Sequence, residues 1–183
     1  MSSEQILIEA CKKQDPRAQE QLYTKFAPGM YAVCLRYSKS TLEAEDILQE
    51  AFIKVFRKIS TYKGDSSLGY WIKRIVINTA INSQRSKLYM FPMVDVEDVN
   101  IVNPAIDALN NLNHQDLLKM IKELPDGCRV IFNLYAVEGY KHSEIADMLE
   151  ISEGTSKSQF ARARQLLKEM AVQRNILKNE RAR

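Results

Sequence analysis

The 183-residue chain has only 6 glycines and 5 prolines, too few for a collagen-like, low-complexity or turn-dense all-β architecture. Its 3 cysteines, Cys11, Cys34 and Cys128, are far apart and odd in number. They suit reduced thiols in a cytoplasm better than a disulfide framework or a zinc knuckle. No apolar stretch approaches the ~20 residues of a membrane-spanning helix, so no membrane insertion is expected. The N-terminus, MSSEQILIEACKKQD, has no basic start followed by an apolar run, so no secretory signal is read there. The two histidines, His114 and His142, fall on different elements, and no His/Cys/Asp set has ligand spacing. A metal site, another cofactor and catalytic residues are therefore not expected, and a nucleic-acid enzyme is disfavoured.

What remains is ordinary for a soluble globular chain: 45% hydrophobic and 27% charged residues. The net charge of +3 is less telling than its distribution. Residues 1–90 carry 14 basic and 9 acidic side chains, and residues 112–183 carry 12 and 10. Residues 91–111 have no Lys or Arg and four acids: Asp95, Glu97, Asp98 and Asp107. Two windows lack acids. One, between Asp65 and Asp95, holds Lys73, Arg74, Arg85 and Lys87. The other, between Glu153 and Glu169, holds Lys157, Arg162, Arg164 and Lys168. Two polyanion-facing surfaces joined by an acidic linker fit this pattern, and so do plain solvated helix faces.

Helix punctuation is dense. Asp15-Pro16 is an N-cap followed by proline at the first helical position. Pro28 is read as opening a second segment with Met30, Val33, Cys34 and Tyr37 on one face. Ser40-x-x-Glu43 is a capping box ahead of a helix over about 42–60, with Ile47, Leu48, Ala51, Phe52, Val55, Phe56 and Ile59 inward. A second long helix is expected over about 67–87, with Leu68, Ile72, Ile75, Val76 and Thr79 inward. Residues 88–111 show no clean period. Helices near 113–123 and around Val130, Ile131, Leu134 and Val137 come next, then a short one at about 142–149 and a longer one at about 153–170. No segment alternates like a strand, so the fold class is all-α.

Residues 142–160 have the features of a helix-turn-helix. Ala146 is the small residue where two helices meet, Ile145, Leu149 and Ile151 fill the wedge, and Ser152 caps the second helix. Phe160, Ala163 and Leu167 face the core, whereas Thr155, Lys157, Ser158, Ala161, Arg162 and Gln165 face outward. Hydroxyls, amides and cations of that kind reach base edges and phosphates in a major groove. The helix over 67–87 carries a second stripe of Trp71, Arg74, Asn78, Asn82 and Arg85. Aromatic, cation and amide in one row is the vocabulary for unstacked nucleic acid. The preceding helix shows Asp46, Gln49, Glu50, Ile53, Lys54 and Arg57 outward, a poor DNA face that suits a protein partner or simple solvation.

These motifs together resemble the extracytoplasmic-function (ECF, group IV) sigma factors of the sigma-70 family. The resemblance rests on Glu45-Asp46-Ile47-Leu48-Gln49-Glu50-Ala51-Phe52, Tyr62-Lys63-Gly64-Asp65-Ser66 and Trp71-Ile72-Lys73-Arg74-Ile75-Val76-Ile77-Asn78. It extends to Leu124-Pro125 and to Gly154-Thr155-Ser156-Lys157-Ser158-Gln159-Phe160-Ala161-Arg162-Ala163-Arg164, and covers about residues 10–172. It implies two small helical domains on a flexible linker: a region 2-like domain over 1–90, an acidic linker over 91–111, a region 4-like helix-turn-helix domain over 112–175 and a basic tail over 176–183. It implies a factor that gives core RNA polymerase promoter specificity, with an anti-sigma protein as controller. The face with Asp46, Gln49, Glu50 and Ile53 is then expected on the clamp helices of the polymerase largest subunit. Trp71, Arg74, Asn78, Asn82 and Arg85 are expected on the −10 element, with Tyr62 and Lys63 in a loop that takes a flipped base. Thr155, Lys157, Ser158, Arg162 and Arg164 are expected on the −35 element. A stand-alone helix-turn-helix regulator is the alternative. Three departures from the family pattern predict a weaker second domain: Lys141 at a capping position, Glu150 in a turn often held by Gly, and Ser156 at an inward position usually held by Val.

Overall fold

The computed structural model describes residues 2–88 and 114–181, with side chains over 2–83 and 116–174. The acidic segment 91–111 and the side chain of Arg85 lie outside the described residues, as do the side chains of the tail over 176–183. The described residues are helical, with no strand among them, so the fold is all-α. They divide into two units, Met1–Ser83 and Gln84–Arg183.

The first unit begins with α1 (Ser3–Lys12), closed at its start by a reciprocal box between Ser2 and Gln5. Helix α2 (Pro16–Tyr37) is capped by Asp15, whose carboxylate accepts from the Arg17 and Ala18 amides. Pro28 does not open a new segment; it lies inside α2. A proline within a helix ordinarily costs ~3 kcal/mol through its missing N–H and its clash with the preceding turn. Here Thr24, whose carbonyl loses its helical partner, and Pro28 are both exposed, so the unpaired carbonyl is not sealed in the core. Leu22 on one side and Val33, Cys34 and Tyr37 on the other are buried, which keeps both halves on one core.

Helix α3 (Thr41–Lys58) is capped by Ser40, which accepts from the Glu43 amide at 3.1 Å. The Glu43 carboxylate accepts from the Lys39 N–H, one residue earlier than a strict capping box. Ile47, Leu48, Ala51, Phe52 and Val55 are buried, with Tyr23 of α2 packed edge-on against Phe52. A 3₁₀ turn, Ile59–Thr61, ends α3. After the Tyr62–Ser67 loop comes α4 (Leu68–Leu88), whose Leu68, Ile72, Val76, Ile77, Ala80 and Ile81 are buried. Gly69 lets its first turn press on α2: a Cβ there would stand 3.2 Å from the Phe26 ring.

The second unit runs α5 (His114–Glu123), α6 (Asp126–Phe132), a π-helical turn (Asn133–Val137), α7 (His142–Leu149) and α8 (Glu153–Arg181). Met120, Ile121, Leu124, Cys128, Ala163, Leu167 and Ala171 form its core. Val137, the last apolar residue of the expected third helical segment, is 44% exposed. The π turn adds a residue to the helical turn and rotates the residues at its end out of the 3.6-residue phase. Helix α8 runs past the expected end near 170 because Ala171 continues the Ala163–Leu167 stripe and Arg174 pairs with Glu123 of α5.

Asp126 and Arg129 are a buried ion pair at 2.6 Å. Arg129 also donates to the Lys122 and Leu124 carbonyls, which fastens the end of α5 to the start of α6. Removing one partner of such a pair leaves a buried charge without its counterion, at a cost of roughly 3–5 kcal/mol. Asp126→Ala should therefore shift the urea transition of the second unit by that amount, read by circular dichroism, while the first unit's transition stays in place.

Candidate nucleic-acid interface

In the first unit the loop after the 3₁₀ turn is held by its own residues. The Tyr62 hydroxyl donates to the Ser66 carbonyl, and the Tyr62 ring packs against Trp71 with centroids 5.4 Å apart. Gly64 sits at φ +85°, a conformation L side chains rarely adopt, and this turns the loop back toward α4. Ser67 accepts from the Tyr70 amide and caps α4. Lys63 is exposed, and Tyr62 is half-buried.

On α4 the stripe of Trp71, Arg74, Asn78 and Asn82 stands clear of the core. Trp71 is half-buried against Tyr62, while Arg74, Asn78 and Asn82 are exposed. Among the described residues these last three form no ion pair or side-chain hydrogen bond, so their donors and acceptors remain available to a ligand. Thr79, one position beyond Asn78, is buried and donates to the Ile75 carbonyl. Lys54 of α3 reaches Thr79 Oγ1 at 3.4 Å and ties the two helices together.

On α3, Asp46, Gln49, Glu50 and Ile53 are all exposed. Glu50 pairs with Lys54 at 2.7 Å. Leu42, 67% exposed, lies on the same side of the helix as Ile53, 51% exposed. Sequence reasoning missed Leu42 because it stood ahead of the main apolar stripe. Its spacing of 4, 7 and 11 residues from Asp46, Gln49 and Ile53 was the available signal. Two exposed aliphatic side chains flanking an acid and an amide make a surface for protein, not for phosphate.

In the second unit α7, its turn and α8 have helix-turn-helix form. Ile145, Ala146 and Leu149 are buried, and Glu150 takes the left-handed conformation at φ 56°. Lys141 gives no side-chain cap, but its backbone N–H donates to the Glu144 carboxylate at 2.7 Å, which keeps half of a capping box. Ser152 accepts from the Thr155 amide and shares a hydroxyl bond with Thr155. Ser156 is buried and bonded to His142 Nδ1 at 2.9 Å. The His142 ring is stacked on Tyr135, and both contact Phe160. Burial and then the nearby Lys157 hold the His142 pKa below its ordinary value, against a smaller opposing effect of Glu153.

Outward on α8, Lys157 and Arg162 are exposed, whereas Thr155, Ser158 and Arg164 are half-buried. Ser158 donates to the Thr155 carbonyl. Lys157 pairs with Glu153 at 2.6 Å, and that hydrogen bond holds the Glu153 carboxyl below its usual range. Both members of the pair face water, so it is easily broken. No group of three or more His, Cys, Asp or Glu side chains with metal-binding geometry occurs among the described residues. No described helix is long and apolar enough to cross a membrane.

Comparison with known proteins finds two family regions in the chain. Residues 22–88 match the model of sigma-70 region 2, and residues 114–167 match that of sigma-70 region 4. The chain is 30% identical over 176 residues to the RNA polymerase sigma-H factor of Pseudomonas aeruginosa, covering 90% of this chain and 91% of that one. It is 29% identical over 177 residues to the ECF RNA polymerase sigma-E factor of Escherichia coli K12, covering 90% and 92%. Its fold is similar to that of the sigma factor RpoE from Bartonella quintana, solved in complex with the anti-sigma factor NepR. That likeness has a TM-score of 0.51 and 24% identity over 82% of this chain and 94% of the other. With two sigma-70 regions in order and relatives matched over nearly their whole length, this chain belongs to the sigma-70 family, in its ECF group of RNA polymerase sigma factors.

Proposed function

We propose how particular surfaces of this chain carry out promoter recognition. Factors of this group bind core RNA polymerase and direct initiation at promoters with −10 and −35 elements, and this chain does so too. In the proposed division of labour, the exposed strip of Arg74, Asn78 and Asn82 beside Trp71 takes the −10 strand as it opens. Arg85 is assigned to the same role from its spacing in the sequence. The loop with Tyr62 and Lys63 takes a base turned out of the stack. That strip carries the reading: it has a cation, two amides and an aromatic edge, and its own window of sequence holds no acid.

Asp46, Gln49, Glu50 and Ile53, with Leu42, form the face for the clamp helices of the polymerase largest subunit. Lys157, Ser158, Arg162, Arg164 and Thr155 read and grip the duplex −35 element. The chain contributes recognition, and polymerase performs the chemistry in the cytoplasm. An anti-sigma protein is its proposed antagonist; the Bartonella sigma factor was solved in complex with one, NepR. A stand-alone helix-turn-helix regulator has no use for the α4 strip.

Arg74→Ala with Asn78→Ala should lower open-complex yield about tenfold or more while affinity for core enzyme stays unchanged. Permanganate footprinting and core co-purification measure the two quantities. Asp46→Arg should weaken core binding by an order of magnitude or more through like-charge juxtaposition; fluorescence titration against core enzyme reads it directly. Lys157→Glu should erase the −35 footprint of the holoenzyme by repelling phosphate. Glu153→Gln, which releases Lys157 from an exposed pair, should tighten −35 binding a few-fold.

A further inference from the structure

The starts of α7 and α8 come together at one corner of the second unit. His142 opens α7, Glu153 opens α8, and Lys157 stands one turn further along. The His142 ring is fixed from two sides. Its Nδ1 is 2.9 Å from the hydroxyl of the buried Ser156, and its face lies on the Tyr135 ring with centroids 4.2 Å apart. Glu153 and Lys157, both exposed, hold each other at 2.6 Å. His142 and Glu153 each feel the other's charge, and Lys157 repels a protonated ring. Ring, carboxylate and ammonium thus form one electrostatic unit at the edge of the face proposed for the −35 element.

This setting accommodates the ring in either charge state. A serine hydroxyl both donates and accepts, so the bond to Ser156 survives whether or not Nδ1 carries a proton. The face of Tyr135 attracts a cation. The balance of surrounding charges decides between the two states. From α8, Lys157 opposes a proton on the ring and Glu153 favours it. The π turn brings the Tyr135 phenol, and on α7 itself the Glu144 carboxylate is engaged by the Lys141 N–H. While Lys157 stays paired, burial and then the Lys157 charge prevail, and the ring's pKa is held below its ordinary value of 6.5. A DNA phosphate reverses that balance. It draws Lys157 off Glu153, because an exposed pair is weak. The carboxylate is left without its cation, and the phosphate adds a second negative charge nearby. Both changes favour the imidazolium.

Resting on the reading of α8 as the −35 face, we infer that His142 is a proton-linked member of that face: as phosphate takes Lys157, His142 takes up a proton from bulk water and becomes the counterion of Glu153. The reading helix gains a cation beside it at the moment that contact with DNA frees its first-turn carboxylate. Linkage sets the sign. The ring holds a proton less tightly in the free chain than in the DNA-bound chain, so −35 affinity rises as the pH falls between those two pKa values. A ring that only props α7 against α8 gives the opposite sign. Burial penalises its charged form, and acid then weakens the helix-turn-helix and its grip on DNA together.

The test measures binding of the full chain, as holoenzyme, to a labelled promoter duplex by fluorescence anisotropy from pH 8 to pH 6 at fixed ionic strength, with −35 protection followed by footprinting. The unmodified factor should gain about threefold or more in affinity over that range, within the roughly tenfold per pH unit that one proton permits. His142→Gln, which keeps an amide for Ser156 and takes up no proton, should remove that gain. Glu153→Gln should bind more tightly at pH 8 and likewise lose the pH dependence. The polymerase's own titration is common to all three proteins and cancels in their ratios. Thermal melting at both ends of the range checks that the variants fold; Glu153→Gln, at an exposed position, decides the test by itself if His142→Gln melts early. A gain that persists in either variant, or a fall in affinity toward pH 6 that His142→Gln removes, overturns the inference. An unmodified holoenzyme that binds with a flat profile overturns it too, and leaves the reading of α8 intact. A holoenzyme with no −35 protection at any pH overturns the reading of α8, and the proton link falls with it.

Discussion

A helix that buries one stripe has only the other stripe to offer, and this constraint governs both recognition surfaces. On α4, Leu68, Ile72, Val76 and Ala80 recur every four residues and are fully buried. Their burial fixes the helix's rotation about its own axis, and Arg74, Asn78 and Asn82 must then face water. The same logic turns α8, where Ala163, Leu167 and Ala171 are sealed in the core and Lys157 and Arg162 project outward. Each buried methylene group contributes about 0.8 kcal/mol. Rotating either helix to present another face would forfeit several such contributions at once. The residues proposed for recognition on α4 and α8 thus owe their facing first to the apolar residues behind them.

This explains what was legible in the sequence. Periods of 3.6 residues with caps at Ser40 and Ser152 marked α3, α4 and the helix-turn-helix, because burial and period express the same constraint. The face of Trp71, Arg74 and Asn78 emerged from the core stripe by subtraction. Other features carried no local signal. Pro28 reads as a break in isolation, and only packing on both sides of it shows why α2 continues. Val137 obeys the pattern but lies at the end of a π turn that rotates it outward. The end of α8 was hidden because Ala171 is too small to stand out and Arg174 owes its place to Glu123, 51 residues earlier. The meeting of α1 with the Tyr62 loop is tertiary throughout, and no spacing encodes it.

The second unit shows how departures from a family pattern can be offset locally. A buried hydroxyl without a partner costs about 1–3 kcal/mol, but Ser156 has one in His142. His142 in turn stacks on Tyr135, and burial holds its pKa below the ordinary value. The missing cap at Lys141 is partly replaced from the other end of the box by Glu144. Glu150 alone keeps its strain, since an L residue in the left-handed region costs roughly 1–2 kcal/mol. What the pattern led one to expect as three weaknesses is one strained turn, one half-replaced cap and one polar core contact.

Electrostatics then sets how the chain uses DNA. Lys157 is paired to an exposed carboxylate, whereas Arg74 and Arg162 have no ion pair among the described residues. An exposed pair is weak enough to exchange its carboxylate for a phosphate at little cost, so Lys157 is held in place without being used up. Glu153 nonetheless stays beside the face proposed to read DNA, and its negative charge is of the same sign as phosphate. Two small cationic faces of this kind bind a polyanion weakly one at a time. Their combined affinity rises only when a third body sets their spacing and turns the second contact into an intramolecular one. The modest charge of each face is therefore a condition of selectivity: a stronger one would hold any DNA, with or without polymerase.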